Sequence, residues 1–195
     1  AFYWDCPRLA KAEGQWWNHL KGYIADLAFV GVNKIWLPPA QKSFKVESMG
    51  YDPYDYYDLG EYDQKGGVKT WFGSKDELIA LIKACHDNGI EVLADLVLNH
   101  NSGGDSEFNP VLNKNTWTKF RPKSKKFNRS YRDFHPTKKC TCDRETFADM
   151  PDLCHARSHV RKEILKYAEW LINEIGFNGF RYDLVKGYAT SMVHE

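Results

Sequence analysis

Gly89-Ile-Glu-Val-Leu-Ala-Asp95-Leu-Val-Leu-Asn-His100 decides how this chain folds. From Ile90 to Leu98 it is almost continuously apolar, the pattern of a strand buried on both faces, as strands of a parallel sheet are. An amphipathic helix precedes it. Ser74-Lys-Asp-Glu77 is a capping box, in which the Ser hydroxyl and the Glu carboxylate satisfy orphan amides of the first turn. Leu78, Leu81, Ile82 and Cys85 form the apolar stripe, and Gly89 stands where a left-handed residue ends a helix.

The same order of helix, glycine stop and short apolar strand occurs on either side. Upstream, a helix is predicted from about Gln15 to Val30, with Trp16, Leu20, Tyr23, Ile24 and Leu27 on one face. Gly31 stops it, and Val32 to Leu37 follows as a strand closed by Pro38-Pro39. Downstream, a helix from near Ser158 carries Val160, Ile164, Tyr167, Leu171 and Ile175, stops at Gly176 and leads into a strand from Phe177 to Asp183. With Phe2 to Trp4 as an opening strand, four strands alternate with three helices. Such alternation specifies an α/β fold built of β/α units on a parallel sheet. Between the third strand and the third helix runs Asn101 to Arg157, far longer than the usual connection of about 2–6 residues. A loop of that length is functional or a small domain of its own.

Composition bounds the function without choosing it. Among 195 residues, 27 Lys+Arg balance 26 Asp+Glu, so no global field points to nucleic acid or a membrane surface. No stretch approaches the roughly 20 apolar residues of a membrane helix. Ala1 to Asp5 reads as mid-strand, with neither the basic start nor the cleavage site of a signal peptide. Aromatics make up 15%, with seven Trp and eleven Tyr, compatible with sugar stacking and equally with a rich core. From Phe108 to Cys142 ten Lys/Arg face one acid, Asp133, a skew that a solvated excursion explains. No glycine-rich phosphate loop follows any strand, which disfavours a nucleotide-dependent enzyme.

The polar residues gather where parallel α/β folds place their ligands, beyond the carboxyl ends of the strands. The third strand ends in Asn99-His100, the fourth in Arg181-Tyr-Asp183, and Gly50-Tyr51 to Asp58 forms an aromatic, acidic loop after the second. Arg181 and Asp183 share a strand face because side chains alternate with period two. The Arg can hold the Asp ionised, as a carboxylate nucleophile requires; a structural pair closing the strand is the alternative. Asp52, Asp58, Glu61 and Asp63 read as a solvated acidic loop, and Trp16 and Trp17 as core.

Asp95-Leu-Val-Leu-Asn-His100 resembles the first signature of the α-amylase family of glycoside hydrolases, and Gly179-Phe-Arg-Tyr-Asp-Leu-Val-Lys186 the second. Met150-Pro-Asp-Leu-Cys154 is similar to the short signature of the family's inserted B domain, and Gly50-Tyr51 with Asp55 to its substrate-stacking loop. Order and spacing agree over essentially the whole chain, with the nearest likeness to archaeal members. The resemblance implies a partial (β/α)8 barrel of about four units: residues 1–100 as its first part, 101–157 as the B domain, 158–195 as its continuation. It implies a calcium-dependent, retaining endo-hydrolase of α-1,4 bonds in starch, glycogen and maltooligosaccharides, a secreted monomer when full length. Asp183 would be the nucleophile and Arg181 its orienting partner; Tyr51 would stack on the sugar, His100 bind it at the cleavage point, and Lys186 contact the leaving side. Asn99, Asp143, Asp152 and the carbonyls of Glu145 and Gly187 would hold calcium, which takes oxygen ligands.

A complete barrel takes about 250 residues. The resemblance places the general acid and a third carboxylate after residue 195, so this chain reads as an amino-terminal half, inactive alone. An α-glucosidase or transglycosylase of the same family, or a non-catalytic glycan- or metal-binding remnant, are the alternatives. In the insert, His135, Cys140 and Cys154 form a zinc-type ligand set similar to the zinc site of archaeal members, with Cys140 where His is usual and Cys142 and His155 as spare ligands. A disulfide from Cys140 or Cys142 to Cys154 is the competing reading. Cys85 reads as core, and Cys6 has no evident partner.

Overall fold

The computed structural model describes residues 4–137 and 146–194. Three short helices, α1 (Cys6–Leu9), α2 (Trp16–Lys21) and α3 (Ile24–Phe29), lead into β1 (Lys34–Trp36), β2 (Lys42–Ser43) and β3 (Pro53–Asp55). Then come α4 (Lys75–Asp87), β4 (Glu91–Leu96), the hairpin strands β5 (Asp105–Asn109) and β6 (Lys114–Lys119), α5 (Ser158–Trp170) and β7 (Gly179–Tyr182). β1, β4 and β7 form one parallel sheet in that order, β4 central. This is the expected α/β architecture: consecutive β/α units of a (β/α)8 barrel, with an antiparallel hairpin inserted between β4 and α5.

Local chemistry explains the elements. The Glu77 amide donates to the Ser74 hydroxyl at 3.3 Å and the Ser74 amide to the Glu77 carboxylate at 2.7 Å, closing the capping box of α4. Leu78, Leu81, Ile82 and Cys85 are buried, and each large apolar side chain so placed contributes about 1.5–3 kcal/mol. Gly89, at φ 71°, turns the chain into β4. On α5 all five stripe residues are buried. Its last turn widens over Leu171–Ile175, where the Gly176 amide reaches the Leu171 carbonyl, and Gly176 at φ 98° ends it.

Two expectations are corrected. The helix predicted over Gln15–Val30 is two helices, broken at Gly22 and Tyr23. Glycine is a poor helix former, and Tyr23 is exposed instead of completing the stripe. Trp17 is fully buried against Phe72, its ring centroid 5.0 Å away. Of the predicted opening strand, Phe2 and Tyr3 lie outside the described residues, and Trp4 sits in a turn before α1.

The loop after β3 departs from a solvated reading as well. Asp58 is fully buried. Its carboxylate accepts from the amides of Gly60 (2.8 Å), Glu61 (2.8 Å) and Tyr62 (3.3 Å) and from Gln64 (2.7 Å). Lys42, also buried, sets its ammonium 3.5 Å from Asp58 and donates to the carbonyls of Tyr62 (3.3 Å), Gly67 (2.9 Å) and Val68. Burial pushes the Lys42 ammonium down and Asp58 opposes that shift. Glu61 and Asp63 are exposed as expected, and Asp52 is half-buried.

The insert is stitched to the end of β4. The Leu153 amide donates to the Asn99 carbonyl (2.8 Å), the Asn101 amide to that of Pro151 (3.0 Å) and the Cys154 amide to that of Asp133 (2.8 Å). Beneath it Arg129 is buried, donating to the carbonyls of Tyr54 and Phe127. Its guanidinium carbon lies 4.6 Å from the ring centroids of Phe120 and Phe127.

Candidate active site

Register assembles the site. Asp95 and Arg181 are paired residues of neighbouring strands, so their side chains emerge together. Arg181 Nη1 donates to Asp95 Oδ1 (2.9 Å) and Oδ2 (3.1 Å), and to Asp183 Oδ1 at 2.7 Å. One guanidinium nitrogen thus bridges a wholly buried carboxylate and one whose side chain is 18% exposed. The Arg181 guanidinium also lies over Trp36, 4.5 Å from the ring centroid. Burial works against the charge on Arg181, but Asp95 and Asp183 outweigh it and raise its pKa. The cation is therefore permanent.

Asp95 receives two more donors on Oδ2, the Tyr51 hydroxyl at 2.8 Å and the Trp36 indole N–H at 3.0 Å. Burial raises its carboxyl pKa, and Arg181 and Tyr51 offset only part of that rise. A group facing Arg and indole donors accepts and has nothing to give, so Asp95 positions Arg181 and Tyr51 and is no proton donor. The amino-acid sequence alone assigns Asp95 no role of its own. The available signal was an acid inside an otherwise apolar buried strand.

Tyr51 has its hydroxyl fixed by Asp95, and its ring stacks on Trp4 at 5.8 Å and 15°. Burial, then Asp95, pushes its hydroxyl pKa well up, so it stays protonated. His100 Nε2 donates to the Tyr51 carbonyl at 2.9 Å, and its ring stacks on Phe147 at 4.7 Å and 18°. Burial lowers the His100 pKa, favouring the neutral ring. Around Tyr51 opens a cavity of about 410 Å³ lined by Trp4, Trp71, Phe147 and Met150 and by the charged side chains of Asp5, Arg8, Lys45, Glu47 and Asp52. Aromatic walls with a few convergent polar groups are the usual make-up of a small-molecule site.

Asp183 is held at the backbone too: its amide donates to the Leu96 carbonyl (2.9 Å), and its own carbonyl accepts from the Tyr188 hydroxyl (3.1 Å). Leu184 at φ 43° turns the chain at once. Lys186 is exposed in the turn Val185–Gly187 beyond it. The structure thus brings Asp183, Arg181, Tyr51 and His100 together, and leaves Lys186 at the rim.

Asn99 is fully buried and Asp152 nearly so. A Cβ on Gly187 would lie 1.8 Å from Asn99 Oδ1, so only glycine fits there. Asp143 and Glu145 lie outside the described residues. His135 bonds the Cys154 sulfur, and Thr137 Oγ1 lies 3.4 Å from it. Burial pushes that thiol up, but His135 and Thr137 outweigh it and lower its pKa. Cys154 is a free thiol, as are the buried Cys6 and Cys85; Cys140 and Cys142 lie outside the described residues. Among the described residues no three His, Cys, Asp or Glu side chains converge into a metal cluster.

Fold and site together define a β/α-barrel protein with a carboxylate–guanidinium cluster, flanked by Trp36 and Tyr51, at the carboxyl ends of β4 and β7. The family described as "Alpha amylase, catalytic domain" matches residues 7–194, and the chain belongs to that family. The alpha-amylase of Bacillus licheniformis is 30% identical over 237 residues, covering all of this chain and 46% of that protein. The cytoplasmic alpha-amylase of Escherichia coli is 42% identical over 107 residues, 54% of this chain and 21% of that one. Among solved structures, the Geobacillus thermoleovorans alpha-amylase complexed with acarbose shares the fold at TM-score 0.65 and 23% identity, covering 92% of this chain and 36% of that one. This chain spans about half the length, or less, of the curated relatives it matches.

Proposed function

We propose that this chain carries the nucleophile side of a retaining α-amylase acting on α-1,4-glucans such as starch and glycogen. The observation that supports it best is the Asp95–Arg181–Asp183 bridge, which holds one Asp183 carboxylate oxygen 2.7 Å from the Arg181 guanidinium just past the end of β7. Asp183 would attack the anomeric carbon and expel the leaving oxygen, forming a glycosyl-enzyme that water then opens, with net retention. Tyr51 would stack on the sugar being cleaved, neutral His100 would hydrogen-bond its hydroxyls, and Lys186 would touch the leaving side. The second carboxyl of such a site stands about 5–5.5 Å from the nucleophile and protonates the leaving oxygen. Asp95 is unsuited to that task, being wholly buried and engaged by three donor side chains.

The buried amide oxygen of Asn99, the Asp152 carboxylate and the side-chain-free Gly187 fit a hard cation. With Asp143 and the carbonyls of Glu145 and Gly187 they would hold calcium, which supplies a fixed charge tying the insert to the end of β4. His135 and Cys154, with Cys140, offer a nitrogen–sulfur set that suits zinc and favours kinship with archaeal members. Release of reducing sugar from soluble starch by the whole protein tests the proposal. Asp183→Asn is expected to abolish it while leaving the melting temperature within a few degrees; residual turnover above about one per cent of wild type would remove Asp183 from the nucleophile role.

A further inference from the structure

Where the chain leaves β7 at Asp183 it turns through Leu184, whose φ of 43° lies in the left-handed region. A bulky apolar residue seldom adopts that conformation, which persists only where its surroundings over-determine it. Hydrogen bonds on both sides do so. The Asp183 amide donates to the Leu96 carbonyl (2.9 Å), the Gly187 amide to the Leu184 carbonyl (2.8 Å), and the Tyr188 hydroxyl to the Asp183 carbonyl (3.1 Å). Burial, then Asp183, pushes the Tyr188 hydroxyl pKa well up, so it stays a donor. Against Tyr188 packs the buried ring of His155, with ring centroids 5.1 Å apart. His155 Nε2 lies 3.0 Å from the Leu98 carbonyl, and facing an acceptor it carries the hydrogen.

We propose that Tyr188 and His155 are positioning residues for the nucleophile: Tyr188 fixes the Asp183–Leu184 peptide, and His155, on the returning strand of the insert, braces Tyr188. The inference rests on the reading of Asp183 as nucleophile and deepens it. Arg181 grips one carboxylate oxygen at 2.7 Å, which restrains the side chain but leaves the backbone that carries it to be held by other means. A phenylalanine at 188 would fill the same space beside His155, so packing alone does not call for the hydroxyl. Its acceptor is the main chain of the reacting residue itself. Because His155 also bonds the end of β4 at Leu98, the insert reaches Asp183 through a relay of two buried side chains. Small displacements of a reacting group are costly in rate, so such a relay acts on turnover more than on substrate affinity.

Tyr188→Phe in the whole protein, assayed with excess calcium, tests this, because it removes the hydroxyl and leaves the ring. On soluble starch kcat is expected to fall about tenfold with KM changed by less than about twofold, and the melting temperature should stay within a few degrees. The same loss is expected on α-maltotriosyl fluoride, whose fluoride departs with little protonation, because a displaced nucleophile slows both reactions. His155→Gln keeps an N–H for the Leu98 carbonyl but withdraws the ring from Tyr188. It should also lower kcat, and the double variant should be no slower than Tyr188→Phe. An unchanged kcat in Tyr188→Phe overturns the proposal, as does a loss that vanishes on the fluoride or appears in KM alone. Losses that multiply in the double variant overturn the relay through His155. Wild type inert on both substrates would refute the α-amylase reading and the positioning role with it, whereas an active wild type equalled by its variant refutes the positioning role alone.

Discussion

Replacing Asp95 by Asn changes one atom and should disable the cluster. The carboxylate accepts four hydrogen bonds, from Arg181 on both oxygens and from Tyr51 and Trp36 on Oδ2. An amide keeps one acceptor and turns the other into a donor. If the NH2 replaces Oδ1 it faces Arg181; if it replaces Oδ2 it faces the indole N–H, the guanidinium and the Tyr51 hydroxyl. Either flip sets donor against donor in a site with no solvent, since the Asp95 side chain is wholly buried. Breaking one side of a buried ion pair costs about 3–5 kcal/mol. Arg181 is one-third exposed and keeps Asp183, so water and that second carboxylate recover part of the loss, leaving about 2–4 kcal/mol. Urea unfolding followed by tryptophan fluorescence reads that figure from the shift in midpoint at constant slope. Starch hydrolysis should drop about a hundredfold or more, because the guanidinium that aims Asp183 is no longer fixed from behind. A variant within about 0.5 kcal/mol of wild type, with undiminished turnover, would refute the claim that Asp95 positions Arg181.

Gly187→Ala would drive a methyl into the Asn99 amide; the rise in melting temperature on adding calcium should shrink or vanish, and an undiminished rise would dissociate this contact from the cation site. Tyr56 is buried, donates to the Val97 carbonyl at 2.9 Å, and has its pKa pushed by burial from 10.0 up to about 12. The folded state therefore holds that proton longer than the unfolded chain does. Its stabilisation is complete below pH 10 and is lost as pH rises through about 12, amounting to roughly 2–3 kcal/mol. Tyr56→Phe should flatten that part of the alkaline limb in pH-dependent urea titrations, and an identical slope would contradict the assignment. Lys42→Met strands the Asp58 carboxylate and the carbonyls around it, with an expected loss of about 3–5 kcal/mol by chemical unfolding; a change under about 1 kcal/mol would mean that the pair is no more than a surface contact in strength.

What the sequence revealed depended on range. The capping box at Ser74, the stops at Gly89 and Gly176 and the stripes of α4 and α5 are local codes, each readable within four residues. The break of the first helix was harder: stripe and length argued for continuity, and only Gly22 argued against it. Asp58 was misread because an acidic run looks solvated until the backbone curls its amides inward and a distant Lys is buried beside it. Asp183, Arg181, Tyr51 and His100 were legible through the motif resemblance, and the structure brings them together. The role of Asp95 was not, because it arises from the β4–β7 register and from two aromatic donors supplied by other loops.

The buried Lys42 ammonium, ringed by carbonyl oxygens and one carboxylate, is arranged as the guest of a crown ether is, except that this guest is tethered to its host. An alkali ion in such a ring would exchange with solvent and empty on dilution; a covalently bound one does neither. The two regions are therefore expected to answer differently to a chelator. The loop of residues 58–69 keeps its internal cation whatever the medium contains, whereas the calcium proposed for Asn99 and Asp152 would leave when free calcium falls.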